Sequence, residues 1–269
     1  MVDTERFNGF SGLYEQMRPH PPETICRILL NYLNAGEIDK IVDIGCGTGL
    51  STKIWLNYAR NTVGVEPNRE MLEEAKKNVP GALFLNESSY DTRLDSGTAD
   101  IVTCSQSFHW MEPVQTLKEV NRILKPEGVF AVYDCLWPPS VSAAAETAYR
   151  ELFRAVAGLE EKYRSVLPEV RRWPKKDHFA SIQNSGYFSY CTEVFTGNPE
   201  KCDSARFTGL ALSQGSLQAL LKKNIPGIQE HIEMFKTAVQ EAIKEEKDMY
   251  ISYRIIAGIK TSENFSLRE

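Results

Sequence analysis

Three groups of residues in this 269-residue chain have the types and spacing to do chemistry. The first is Val42-Asp43-Ile44-Gly45-Cys46-Gly47-Thr48-Gly49. Glycines there let the backbone turn tightly and approach a ligand closely, and a helix that follows offers N–H groups to it. The second is Glu66, which ends the apolar run Asn61-Thr62-Val63-Gly64-Val65. A carboxylate at a strand end can accept both hydroxyls of a ribose. The third is Ser105-Gln106-Ser107-Phe108-His109-Trp110. Its imidazole has an ordinary proton affinity suited to general-base work near neutrality, although His109 could equally pack to hold its loop.

Two ligands suit the glycine turn: NAD(P) or S-adenosylmethionine (SAM). The dinucleotide fingerprint is Gly-x-Gly-x-x-Gly, and here the third glycine comes one place early. Asp43, two residues before the first glycine, could take the ammonium of SAM directly or through water, whereas it would repel a pyrophosphate. Glu66 fits either ligand.

These residues need a frame that brings strand ends together, and the pattern supplies one. Lys40–Ile44, Asn61–Glu66, Ala82–Leu85, Ala99–Cys104 and Glu127–Tyr133 read as short strands, the last after a Lys-Pro-Glu-Gly turn. Helical stripes alternate with them at 23–34, after Pro67-Asn68, and from Val114 to Leu124. That alternation implies a parallel sheet covered on both faces and doubly wound by right-handed crossovers. Beyond Trp137-Pro138-Pro139 the pattern turns mainly helical, at 140–163, 215–222 and 228–245, with one strand near 190–195. Met249–Ile256 reads as a closing edge strand.

Composition narrows the classes. Hydrophobic residues are 42%, charged residues 25%, and the net charge is −5, so the chain reads as globular with no general basic field for nucleic acid. The four histidines lack helical metal spacing and the six cysteines form no Cys-x-x-Cys pair, so no metal is expected. No apolar run approaches a membrane span, and the N-terminus lacks the apolar stretch of a secretory signal. The expected compartment is the cytoplasm.

The chain resembles the class I SAM-dependent methyltransferases, close to the small-molecule group that includes trans-aconitate and ubiquinone-type enzymes. The glycine turn, Val63-Gly64-Val65-Glu66-Pro67-Asn68, Asp100–Trp110 and Leu124-Lys125-Pro126-Glu127-Gly128-Val129-Phe130 carry the likeness, in the family's order. It covers residues 11–134 well and is looser from 140 onward. It implies a seven-stranded, mostly parallel, Rossmann-like α/β fold with a mainly helical lid. Residues 1–137 and 249–269 would form the SAM-binding core, and 138–248 the substrate-recognition region. It implies that Asp43, Gly45, Cys46, Gly47 and Gly49 hold SAM and that Glu66 binds its ribose. Pro67, Asn68 and Met71 would flank the adenine, and Ser88 and Ser89 would meet its edge, Ser88 standing where the family usually has Asp. Ser105 and Gln106 would lie beside the sulfonium. In Tyr14-Glu15-Gln16-Met17-Arg18-Pro19, Tyr14 would shield the methyl site and Arg18 meet the SAM carboxylate. Trp110 and Trp137 would line the acceptor pocket, and Leu212–Leu217 resembles a serine-rich turn aimed at the substrate.

The reaction so implied is methyl transfer to a small molecule at an oxygen, carboxylate or hydroxyl, with SAM as cofactor. A carboxylate needs no base; a hydroxyl does, and His109 is the candidate. RNA or protein methylation is the first alternative, but Ser105–Phe108 does not match the Asn-Pro-Pro-Tyr type of signature. An NAD(P) oxidoreductase and a non-catalytic SAM-binding protein are the others. Arg171-Arg172-Trp173-Pro174-Lys175-Lys176 reads as a solvated basic loop; contact with RNA or with an anionic substrate are its other readings.

Overall fold

A computed structural model describes residues 17–168 and 171–262. Five strands run parallel: β1 (Ile38–Ile44), β2 (Ala59–Val65), β3 (Leu83–Leu85), β4 (Ala99–Ser105) and β5 (Leu124–Cys135). They are rich in Val and Ile because both faces are covered; Ile41, Val42, Ile44, Ile101 and Val102 have no exposed surface. Two long strands complete the sheet, β6 (Phe188–Cys202) and β7 (Lys247–Lys260), giving the order β3-β2-β1-β4-β5-β7-β6. The chain leaves β1 toward β2 on one side and returns to β4 on the other. The crevice outside the β1 and β4 carboxyl ends is therefore the topological switch point.

The strand composition explains two departures from the sequence reading. The closing strand is not at the edge: β7 lies between β5 and β6, antiparallel to both. Its Ile251, Tyr253, Ile255, Ile256 and Ala257 are all buried, as an interior position demands. The edge strand is β6, longer than the expected 190–195. It is half-exposed along most of its length and carries Gly197 and Pro199, residues an edge tolerates. Nor is Lys125-Pro126-Glu127-Gly128 a turn before a strand. β5 already starts at Leu124, and these residues form an irregularity within it, where Ala99 pairs with Leu124 and Ile101 with Val129.

Helices cover the sheet: α1 (Thr24–Tyr32), the single turn α2 (Leu50–Lys53), α3 (Arg69–Asn78) and α4 (Pro113–Ile123). The later region adds α5 (Ala143–Lys162), α6 (His178–Gln183), α7 (Ser204–Leu212), α8 (Gly215–Lys222) and α9 (Ile228–Ala242). Phe207, Leu217, Phe235 and Val239 of these helices share one buried cluster with Ile25 and Leu29 of α1, Ile41 of β1 and Tyr253 of β7. The later helices are therefore welded to one sheet face rather than hung from it. Among the described residues no helix is long and apolar enough to cross a membrane.

Candidate active site

The β1–α2 turn is bent by backbone conformations that favour glycine. Gly45 has φ +70°, and a Cβ there would sit 2.6 Å from both Ser107 Cβ and Met111 Cε. Its N–H, donating to Val65 O at 2.7 Å, ties the turn to β2. Gly49 has φ +90° and caps α2 against Ala75 of α3 and Val79 just past its end. The consequence is a wall of a cavity of about 900 Å³ made from Gly45, Cys46, Gly47 and Thr48.

Asp43 does not reach that wall. It has no exposed surface, and its carboxylate accepts hydrogen bonds from Ser51 Oγ at 2.5 Å, Thr52 Oγ1 at 2.8 Å and Thr103 Oγ1 at 2.9 Å. Burial raises its proton affinity and the three hydroxyls oppose that. Its role is to lock the α2 turn and β4 onto β1. The expected direct contact with a ligand ammonium is corrected accordingly. Gly49 likewise packs rather than lines the cavity. Asn68 is an N-cap: its side chain accepts from Met71 N at 3.0 Å.

Glu66 does reach the cavity. Its Oε2 accepts from Gly47 N at 3.1 Å and its Oε1 from Asn68 N at 2.8 Å. Burial pushes the carboxyl up to about 7 despite these two amides. Such a group gains from further donors, each of which would favour the charged form. Asn86, not singled out from the sequence, fixes the adjoining turn by donating to the carbonyls of Glu66 and Pro67, both at 2.9 Å. Pro67, Met71, Ser88 and Ser89 line the same end. The Ser89 hydroxyl lies 2.9 Å from the Thr116 hydroxyl of α4.

Ser105 at the end of β4 and Gln106, His109 and Trp110 beyond it line the cavity. Gln106 takes φ +50° and its N–H donates to Tyr133 O at 2.9 Å, while the Ser107 hydroxyl donates to Ile44 O at 2.8 Å. These bonds hold the turn after β4 against β5 and β1. Burial, with the charges of Lys175, His178, Arg172 and Arg18 added, pushes His109 down to about 2. Its Nδ1 stands 4.0 Å from Asp134, beyond hydrogen-bond reach. A neutral imidazole of such low proton affinity is a poor general base. Arg18 is buried, donates to Ser213 O at 3.4 Å, and lies 5.5 Å from the Trp137 ring centre. Trp137 itself stacks on Tyr149. Tyr14 lies outside the described residues.

The basic segment also reaches the cavity, contrary to the expectation of a solvated loop. Arg171, Arg172, Trp173 and Lys175 line the cavity, with Trp173 and Lys175 half-buried and both arginines still exposed to solvent. Lys175 pairs with Asp134 at 2.5 Å, and Trp173 N donates to His109 O at 3.0 Å. Asp134 also faces His178, 3.8 Å away, which burial keeps below the usual histidine range. Asp134 sits near the carboxyl end of β5, just as Glu66 follows β2. The rule that marked Glu66, an acidic residue at a strand's carboxyl end, would have found it. Gln214 and Ser216, at the start of α8, complete this end.

A family model described as a methyltransferase domain matches residues 42–132. An uncharacterized methyltransferase of Mycobacterium bovis is 32% identical over 123 residues, 45% of this chain and 49% of that protein. The match therefore spans about half the length of that relative. An uncharacterized methyltransferase-like protein of Schizosaccharomyces pombe is 30% identical over 196 residues, 72% of this chain and 73% of its own. Among solved structures, one named for a type II methyltransferase of Anaeromyxobacter dehalogenans superposes with a TM-score of 0.71, at 18% identity, over 91% of this chain and 99% of that one. At that identity the likeness is one of fold.

Proposed function

The chain belongs to the class I SAM-dependent methyltransferases, and from that premise we propose that it transfers a methyl group from SAM to an oxygen of a small-molecule acceptor. The observation that carries the cofactor reading is Glu66: a desolvated carboxylate in the cavity wall, beside the Gly45–Gly47 turn. Its remaining acceptor capacity suits a ribose diol, and Met71 and Pro67 offer apolar surface for an adjacent base. Residues 1–137 and 249–269 would hold the cofactor, and residues 138–248 would serve recognition of the acceptor.

Bound there, SAM supplies a methyl group on a positively charged sulfur, so the reaction depends on alignment more than on proton transfer. Ser105 and Gln106 would lie beside the sulfonium, and Trp110 and Trp137 would line the acceptor pocket. His109 holds neutral shape and hydrogen-bonds Trp173 through its backbone. Its low proton affinity favours an acceptor that is already anionic at neutral pH, a carboxylate, over an alcohol that must be deprotonated. The net charge of −5 gives the chain as a whole no general basic field to favour RNA.

Calorimetric titration with SAM, S-adenosylhomocysteine and NADH tests the cofactor. The first two should bind and NADH should not; NADH binding with silence toward SAM would overturn the reading. Labelled SAM offered with matched carboxylic acids and phenols then tests the acceptor, with label expected in the acids.

A further inference from the structure

The acceptor end of the cavity carries more positive charge than the reaction above uses. Among the described residues lining it, Arg18, Arg171, Arg172 and Lys175 are cationic, and Glu66 and Glu112 are the carboxylates. Most are committed. Lys175 pairs with Asp134. Glu66 accepts from two backbone amides, and Glu112 caps α4 by accepting from Val114 N and Gln115 N. Arg18 reaches the Ser213 carbonyl. Arg171 and Arg172 stand apart: among the described residues neither forms an ion pair.

Each is held over an indole instead. Arg171 Cζ lies 4.6 Å from the Trp173 ring centre, and Arg172 Cζ lies 4.7 Å from that of Trp110. A cation–π contact fixes the guanidinium and leaves its fork of N–H donors for an oxyanion. Burial against the wall pushes Arg172 below the usual arginine range, offset in part by Glu160.

The segment is also anchored from three elements. Trp173 N donates to His109 O after β4, Lys175 Nζ meets Asp134 on β5, and Arg254 Nη1 of β7 donates to Lys175 O at 2.9 Å. These ties hold the segment at the cavity wall and offset the conformational entropy lost in ordering it.

We propose that Arg171 and Arg172 form an oxyanion subsite that selects acceptors carrying a carboxylate or phosphate group remote from the oxygen that is methylated. The proposal rests on the methyl-transfer reading. The gripped group orients the acceptor and takes no part in bond making; bidentate pairing with an arginine fork supplies the directionality.

Ligand-detected NMR on the chain loaded with S-adenosylhomocysteine tests this, with benzoate against benzamide and phenyl phosphate against phenol. At least one anion should bind about tenfold tighter than its neutral partner, and the pair that responds identifies the oxyanion. The Arg171→Gln/Arg172→Gln double variant should lose that preference with S-adenosylhomocysteine affinity unchanged. Lys176→Ala, on the same segment but outside the cavity wall, should behave as the parent. Equal binding within both pairs, or a preference that survives in the double variant, overturns the subsite. Repeating the titrations on the unloaded chain separates the two readings. Failure to bind S-adenosylhomocysteine strikes methyl transfer, while the anion preference still decides the subsite.

Discussion

The two ends of the cavity are built by different means. The end next to β1 and β2 is mostly backbone: a turn of glycines, two amides held by Glu66, and hidden hydroxyls tied to Asp43. The other end is mostly side chains: two arginines on indoles, a lysine on Asp134, and a neutral histidine. Backbone walls depend on local conformation and tolerate few substitutions. Side-chain walls depend on contacts between distant segments and can be retuned one residue at a time. The first end suits a ligand that never changes, and the second a ligand that sets specificity.

That contrast can be broken most sharply at Gly45. Gly45→Ala should lower S-adenosylhomocysteine affinity on the order of a hundredfold, because the added methyl meets Ser107 and Met111 at a left-handed backbone position. Calorimetry reads the loss, and near-parent affinity would mean that the backbone wall is softer than argued. Asp43→Ala comes next. It leaves Ser51, Thr52 and Thr103 without their acceptor and should cost about 3 kcal/mol of stability, roughly 1 kcal/mol per buried bond, in denaturant unfolding of the ligand-free chain. A ligand-contact residue would instead leave that stability almost untouched.

Glu66→Gln should weaken S-adenosylhomocysteine about tenfold and raise the melting temperature of the ligand-free chain at pH 8. The sign follows from burial. The folded carboxyl sits at about 7, above its ordinary 4.5, so its contribution to stability is complete below 4.5 and lost as pH rises through 7. The same titration makes parent affinity fall as pH drops below about 7, where the protonated carboxyl accepts poorly; in Glu66→Gln that dependence should flatten.

At the other end, Asp134→Asn unties Lys175 and should raise the KM for an acidic acceptor about fivefold, with kcat and S-adenosylhomocysteine affinity nearly unchanged. An equal fall in kcat would make Asp134 part of the chemistry. The smallest effect is expected at His109. His109→Gln should leave turnover of a carboxylate acceptor within about twofold and the pH–rate profile unmoved. A lost ionisation in that profile would restore the general-base role.

How much was legible follows the same division. The parallel half of the sheet could be read because strands buried on both faces show continuous Val and Ile, and because a glycine turn has a fixed conformational requirement. The pattern of β7 alone suggests an edge because a strand's neighbours are not encoded in its own residues; they follow from which partner remains when the sheet closes. Asp43 looked like a ligand contact because spacing shows that a carboxylate is near the turn, not which way it points. Its three hydroxyl partners come from two elements, and one of them, Thr103, is 60 residues away.

By itself, the sequence determined the fold class, the switch-point crevice and the carboxylate of Glu66 beside the glycine turn, because each depends on residues close together in the chain. Only the tertiary structure decided that Arg171 and Arg172 face the cavity and that His109 is held neutral. Both outcomes rest on contacts between segments far apart in the chain, which bring an exposed basic run to the cavity wall and bury a histidine so that it loses its proton affinity.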